Sequence, residues 1–177
     1  MIRFHLQPAL LAFLENASLN EEEKEVVGIL KKWNYHFDKT ETAPIFFDKW
    51  FSEFYKITWD EIYALRKKEF PMLMPETWRT IELMEQAPDN VFFDNQKTPE
   101  EETAADIALL SFKSMLEGLT WKKSGRLVTW EEHRDISIPH TINTLGGFSS
   151  KFVSAGGNGE ALNAFHHRGS RVHGPSW

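Results

Sequence analysis

The chain of 177 residues carries a net charge of −6 and has a pI near 5.7, which excludes a strong attraction to the phosphate backbone of nucleic acids. It contains no cysteine, so disulfides, thiolate nucleophiles and cysteine-ligated metals are excluded together. No run of about 18 apolar residues is present to span a membrane. The first residues also lack the charged and apolar regions of a secretory signal peptide. We therefore expect either a cytoplasmic protein or a piece cut from a longer precursor.

The first two-thirds of the chain carries apolar residues at helical spacing. Pro8 is predicted to lie in the first turn of a helix, where its missing N–H needs no partner. A second helix is predicted after residue 20, where Ser18 with Glu21, or Asn20 with Glu23, forms a capping box. Its apolar stripe consists of Val26, Ile29, Leu30 and Trp33.

Two more helices and a short one follow. Pro44 precedes an aromatic helix, and Thr58 with Glu61 is predicted to cap a short helix. Pro75 is predicted to open the next helix. The aromatic helix places four rings on one face, namely Phe47, Trp50, Phe51 and Phe54.

The last helix has the clearest start and end signals. Thr98 is predicted as the N-cap, Pro99 as the first helical residue and Glu101 as the partner that completes a capping box. Gly118 is predicted to stop the helix. Apolar residues cover more than one of its faces, so we expect it to be well buried.

Glycines cluster after Leu119, and the sequence predicts strands between turns there. A two-stranded ribbon is only marginally stable alone, so this tail is expected to belong to a sheet whose other strands lie elsewhere. The predicted fold is mainly α, with a helical domain over residues 1–118 and a β-rich, glycine-rich tail over residues 119–177. The strands are predicted at residues 126–129, 134–138 and 148–153.

The histidines, the glycines and the acidic pairs each allow a chemical and a structural interpretation. Five of the seven histidines fall late in the chain, but no metal-binding helix motif accompanies them. Glu131, Glu132 and His133 are predicted to lie in a turn or strand, so ordinary surface or hydrogen-bonded histidines are favoured and no metal site is predicted. The glycines at 156–159 resemble a phosphate loop, but a tight turn that needs positive φ is favoured. The acidic pairs suit helix first turns, and no Gly-x-Ser-x-Gly elbow is present.

The high aromatic content, 14% of residues, leaves two interpretations. Aromatic side chains dominate protein cores, so a core rich in aromatic rings is favoured. The alternative is an aromatic groove for a ligand or a partner.

Three stretches together resemble the C-terminal half of the penicillin acylase family. The first is Trp33-Asn34 with the loop 38–42, where the family usually has Trp-Asp. The second is Phe92-Phe93-Asp94-Asn95, followed by residues 98–106. The third runs from Trp130, Glu131 and His133 through Pro139-His140, Gly156-Gly157 and Asn163-Ala164 to His173-Gly174-Pro175-Ser176-Trp177.

The resemblance implies an N-terminal-nucleophile hydrolase with an αββα sandwich. In that family a precursor cleaves itself and exposes a serine at the start of the β-subunit, whose own α-amino group serves as base. Backbone N–H groups and an asparagine form the oxyanion hole. The family is usually periplasmic or secreted, and it places the nucleophile, the oxyanion residues and any calcium ligands upstream of the region that resembles this chain.

The resemblance therefore implies a C-terminal fragment of an amidohydrolase that starts at Met1 rather than serine and is itself non-catalytic. No catalytic residue and no cofactor is predicted in this chain, and the expected partner is the rest of the same precursor, namely the α-subunit and the N-terminal part of the β-subunit. His173, Gly174 and Ser176 are the motif positions of interest, with a turn before a core strand as the favoured role. We expect the tail to be partly irregular or paired with another molecule. The alternative is a stand-alone helical binding module with an aromatic groove for a ligand or a partner.

Overall fold

The computed structural model describes residues 3–15, 17–65, 73–95, 99–134, 137–138, 151–152 and 156–157. This part of the chain is mainly helical, which confirms the predicted fold class. The helices are α1 (Arg3–Glu15), α2 (Glu21–Lys31), α3 (Ala43–Thr58), α4 (Asp60–Leu65), α5 (Thr77–Gln86), a 3-10 helix (Val91–Phe93), α6 (Ala104–Glu117) and α7 (Trp130–Arg134). The strands are β1 (Lys122–Lys123), β2 (Arg126–Leu127), β3 (Ser137–Ile138) and β4 (Lys151–Phe152).

The chain divides into two compact units. Unit 1 comprises Met1–Lys32 and Phe46–Leu119, and unit 2 comprises Trp33–Ile45 and Thr120–Trp177. No pattern in the sequence indicated that Trp33–Ile45 groups with the later part of the chain. The domains 1–118 and 119–177 stay a prediction. Among the described residues, no helix combines the length and the apolarity that a membrane crossing requires.

Helix α1 packs against α6 and α2 in unit 1. Leu6, Leu10 and Leu14 recur every fourth residue and are fully buried, so they form one apolar stripe. The prediction that Pro8 lies in the first turn is wrong, because α1 already begins at Arg3 and encloses the proline. Pro8 lies on the exposed side of the helix.

A capping box opens α2, and it is the second of the two predicted alternatives. The Asn20 N–H donates to Glu23 Oε2 at 2.7 Å, and the Glu23 N–H donates to Asn20 Oδ1 at 2.9 Å. Val26 and Leu30 of the predicted stripe are buried. Two otherwise unpaired groups are thereby satisfied at the start of the helix.

Helix α3 confirms the aromatic stripe, since Phe47, Trp50 and Phe54 are buried. The Trp50 indole N–H donates to the Ala108 carbonyl of α6 at 3.2 Å. The prediction that Thr58 caps the next helix is wrong. Thr58 is the last residue of α3, and its hydroxyl donates back to the Phe54 carbonyl at 2.9 Å, an alternative that a threonine near a helix end offers.

The start of α6 was predicted at the wrong place. The helix begins at Ala104, and its N-cap is Thr103, whose N–H and hydroxyl contact Asp106 Oδ2 at 2.9 and 2.6 Å. The predicted cap, Thr98, lies outside the described residues. The end was predicted correctly, since the helix stops at Glu117, just before Gly118.

The residues before α6 are non-helical because another contact holds them. The Asn95 N–H donates to Glu102 Oε2 at 2.9 Å, and the Glu102 N–H donates to Asp94 Oδ1 at 3.2 Å. These reciprocal bonds fold the stretch back onto the end of the 3-10 helix. Pro99 and Glu101 therefore precede the helix instead of opening it.

Unit 2 holds both ribbons. Strands β1 and β2 form an antiparallel hairpin whose two turn residues, Ser124 and Gly125, have φ of 52° and 78°, as a type I′ turn requires. Strands β3 and β4 pair antiparallel, with Ser137 opposite Phe152 and Ile138 opposite Lys151. The described residues of the predicted strands lie in β2, β3 and β4, except that Val128 and Thr129 follow β2 and Arg134 lies in α7.

The placement of Glu131, Glu132 and His133 in a turn or strand is wrong, because they lie on the short helix α7. A capping interaction opens that helix. The Thr129 N–H and hydroxyl contact Glu132 Oε2 at 3.0 and 3.2 Å. This is the S/T-x-x-E pattern that marks a helix start.

Candidate functional site

Motif residues that lie far apart in the sequence meet within unit 2. They form a packed cluster, called here the aromatic–glycine junction, that consists of Trp33, Phe37, Trp130, Arg134 and Gly156–Gly157. The three aromatic rings are almost completely buried, with 6%, 8% and 2% of the surface of Trp33, Phe37 and Trp130 exposed. The junction is thus part of the interior of unit 2 rather than an open surface.

The loop after α2 positions the first two rings. The Trp33 indole N–H donates to the His36 carbonyl at 2.8 Å, and Asn34 Oδ1 accepts from the His36 N–H at 2.9 Å. Tyr35 between them has a φ of 66°, a strained value for a residue with a Cβ. The Asn34 departure from the family pattern is chemically mild, because the atom in use is a side-chain oxygen that aspartate also offers.

Hydrogen bonds join the loop 38–42 to the residues at the start of α7. They connect two stretches that are far apart in the sequence. The bonds run from Thr42 Oγ1 to the Val128 carbonyl at 2.8 Å, from the Trp130 N–H to the Glu41 carbonyl at 2.8 Å, and from the Glu131 N–H to the Lys39 carbonyl at 3.0 Å.

The glycine pair closes the junction. The Gly157 N–H donates to the Phe37 carbonyl at 2.8 Å, while the Gly157 carbonyl accepts from Trp130 Nε1 and from Arg134 at 2.8 Å each. A Cβ on Gly156 would lie 2.7 Å from the Phe37 carbonyl oxygen. Gly157 has a φ of 80°. The positive φ is confirmed at Gly157, whose backbone groups bond within unit 2 rather than point toward a phosphate, and residues 158–159 of the predicted turn lie outside the described residues.

Trp130 is the centre of the ring contacts. Its ring meets Phe37 edge-on at 5.1 Å between centroids and stacks with His133 at 6.0 Å. The Arg134 guanidinium lies 5.7 Å from its centroid, within reach of a cation–π contact. The positions of His133 and Arg134 are therefore explained by their packing against Trp130, without a catalytic role.

Glu132 is held as a carboxylate. Arg126 contacts it through two N–H groups at 2.9 and 2.5 Å, and this pair together with the Thr129 backbone N–H lowers the Glu132 pKa from 4.5 to about 2. A carboxyl with so low a pKa is a poor proton acceptor at neutral pH. Its role in the structure is the cap of α7.

The second motif stretch lies in unit 1 and is also structural in its contacts. The hydroxyl and backbone N–H of Thr103 lower the pKa of Asp106, which stabilises the start of α6. Phe93 is buried and its ring centroid lies 5.9 Å from that of Phe54. The motif thus fixes the entry into α6.

The positions of interest near the end of the sequence, His173, Gly174 and Ser176, lie outside the described residues. The same holds for Asn163 and the histidines other than His133 in the later part of the sequence. Within the described ranges, no group of three or more histidine, aspartate or glutamate side chains is close enough to hold a metal ion.

Two residues of the junction were missed at the sequence level. Phe37 follows Trp33 by four residues but lies in a loop, where that spacing carries no meaning. Arg134 is typical of a surface position. The available signal was Thr129-x-x-Glu132, which marks the start of α7 and puts Trp130 and Arg134 one turn apart on one face.

The penicillin amidase family model matches residues 4–177 of the chain. No curated protein and no solved structure matches it. The family match covers all three motif stretches and therefore the whole aromatic–glycine junction.

Proposed function

Because the chain belongs to the penicillin amidase family, we propose that it is the C-terminal part of the β-subunit of an amidohydrolase. The reaction is the hydrolysis of a linear amide to a carboxylic acid and an amine. The observation that carries this proposal is the extent of the family match, which runs from residue 4 to residue 177.

We assign a supporting role to this chain and place the chemistry in the rest of the precursor. The nucleophilic serine, whose α-amino group acts as base, and the oxyanion donors belong to that remaining part, as do any calcium ligands. The contacts of the motif residues favour this division. Trp130 and Arg134 donate to a backbone carbonyl, and Glu132 caps a helix.

The proposal has consequences for partners and location. The partner is the rest of the same precursor, the α-subunit and the N-terminal part of the β-subunit, and the processed protein is periplasmic or secreted, as is usual in the family. Within the described part of the chain no helix is suited to crossing a membrane. Nucleic acid is not a partner, in keeping with the net charge of −6.

Hydrolysis of a panel of chromogenic acyl-anilides tests the proposal. The chain alone is compared with the full precursor from the same gene, at equal concentrations. We expect turnover by the precursor and none by the chain. Turnover by the chain alone would show that a nucleophile lies within these residues and would overturn the supporting role.

One observation favours a second candidate, a helical binding module. Unit 1 contains an open cleft of about 610 Å³ beside Trp59. The Trp59 indole N–H donates to Thr80 Oγ1 at 2.8 Å, and its ring lies 4.8 Å from that of Phe92, so an apolar ring is fixed in place at the cleft. The lining residues are Trp59, Pro75, Arg79, Glu82, Leu83, Gln86 and Ala87.

The same assay separates the two candidates. A folded full-length protein that neither cleaves itself nor hydrolyses any of the acyl-anilides would favour the binding module. A precursor that turns them over would favour the amidohydrolase and leave the cleft as a surface feature of its helical part.

A further inference from the structure

We propose that Trp130 and Arg134 form a latch on the Gly157 carbonyl, and that this latch opens as a local event while unit 1 stays folded. The latch consists of Trp130, Arg134 and Gly157, with Phe37 as the residue against which the glycine is held. It is a conformational device of unit 2, and it stands on geometry alone, independent of the proposed enzymatic function.

Both donors come from one face of α7. Trp130 and Arg134 are four residues apart, so their side chains lie one above the other. Each donates to the Gly157 oxygen at 2.8 Å, and a carbonyl oxygen has two lone pairs with which to accept both. The guanidinium is charged, which makes its bond the stronger of the two.

On the opposite side, the glycine pair contacts the Phe37 carbonyl. The Gly157 N–H donates to the Phe37 carbonyl at 2.8 Å. Any side chain on Gly156 would begin 2.7 Å from the same oxygen, closer than carbon and oxygen atoms approach without a shift in the backbone. The close approach therefore requires glycine at this position.

The elements next to the latch are too short to be stable by themselves. Helix α7 has five residues, far fewer than an isolated helix needs. The described part of the β3–β4 ribbon pairs Ser137–Ile138 with Lys151–Phe152, and two-stranded ribbons are only marginally stable by themselves. Within the part of the chain that the structure describes, three hydrogen bonds of Gly157 and the burial of the Trp130 ring hold the glycine pair to the rest of unit 2.

Release of the latch has a specific signature. It frees the Gly157 N–H and the Trp130 indole N–H together, because the bonds that engage them lie on the two sides of the same glycine. Elements with few stabilising contacts open locally at lower free energy than a packed core. The amides of α6, whose residues Ala108 and Phe112 are completely buried, belong to such a core and report unfolding of unit 1.

Hydrogen exchange followed by NMR on the ¹⁵N-labelled full chain tests the latch. In Arg134→Gln we expect the Gly157 amide and the Trp130 indole N–H to exchange about tenfold faster, the effect of one lost hydrogen bond to a charged group. The exchange of the α6 amides should stay unchanged. Trp130→Phe keeps an aromatic ring but removes the indole N–H, so it assigns the indole signal and should accelerate exchange of the Gly157 amide by a similar factor.

The matched control is Arg79→Gln, which removes an exposed arginine of unit 1 that pairs with Glu82. It should leave the Gly157 exchange rate as in the wild type. Unchanged Gly157 exchange in a folded Arg134→Gln protein would overturn the proposal. Equal acceleration of the Gly157 and α6 amides would also overturn it, because the opening would then be global. If Trp130→Phe does not fold, Arg134→Gln alone decides, since Arg134 is only half-buried.

Discussion

At the scale of single residues, buried tryptophan side chains donate their indole N–H groups to acceptors within the core of each unit. A buried indole N–H without an acceptor costs about 1–3 kcal/mol, so the acceptor determines how the ring is oriented as well as where it lies. Most aromatic side chains whose burial the structure describes belong to the core, although Trp78 is 48% exposed. The pairs are Trp50 with the Ala108 carbonyl, Trp59 with Thr80 Oγ1 and Trp130 with the Gly157 carbonyl.

Protonation of Glu132 at low pH should weaken the start of helix α7. Its pKa in the folded protein, about 2, lies below the ordinary value of 4.5, so its contribution to stability is present above about pH 5 and is lost as the pH falls toward about 2. We expect the protection factor of the His133 amide, which donates to the Thr129 carbonyl, to decrease over that range in the wild type.

Glu132→Gln should show lower protection of that amide at neutral pH and little further loss on acidification. The neighbouring variant Glu131→Gln serves as the control, since it keeps Glu132 and Arg126 and should keep the wild-type profile. Added salt should weaken the effect, because the ion pair is exposed to solvent. A wild-type profile in Glu132→Gln would contradict the assigned role.

At the scale of elements, helix existence was predictable and several helix starts were not. Apolar spacing located α2 and α3, and the Asn20–Glu23 box was among the predicted signals. The start of α6 was misplaced because Thr98-Pro99 and Thr103 both have the chemistry of a helix start. The choice between them depends on the contact of Glu102 with Asp94 and Asn95, which no local pattern shows.

Thr103→Ala tests the observed start of α6. Loss of the cap should lower the free energy of unfolding by about 1 kcal/mol, measured by urea denaturation followed by far-ultraviolet circular dichroism. Glu101→Ala, at the position that the sequence suggested for the capping box, is the matched control and should change stability by less than about 0.5 kcal/mol. A larger loss of stability in Glu101→Ala than in Thr103→Ala would instead favour a helix start at Thr98-Pro99.

At the scale of the whole molecule, the order of the three motif stretches predicted the family, and the family match over residues 4–177 confirms it. The composition of unit 2 was not predictable. Within the described residues, bonds between backbone groups, such as those of Glu41 and Lys39, help to join its two parts, Trp33–Ile45 and the residues from Thr120 onward. Backbone bonds leave no residue signature, so sequence patterns do not reveal the pairing.

The division of labour within the precursor also belongs to this scale. We place the support in this chain and the nucleophile in the remaining part. Periplasmic or secreted location, calcium in the parent protein and the sandwich that the tail would complete stay predictions, because they concern the whole protein.

The most direct test of this division is covalent labelling of the processed precursor with an aryl sulfonyl fluoride, followed by peptide mass spectrometry. The reagent reacts with an activated serine, and loss of amidase activity should parallel the labelling. We predict one label for each enzyme molecule, on the first residue of the β-subunit and outside residues 1–177 of this chain. An activity-linked label on any residue of this chain would contradict the account.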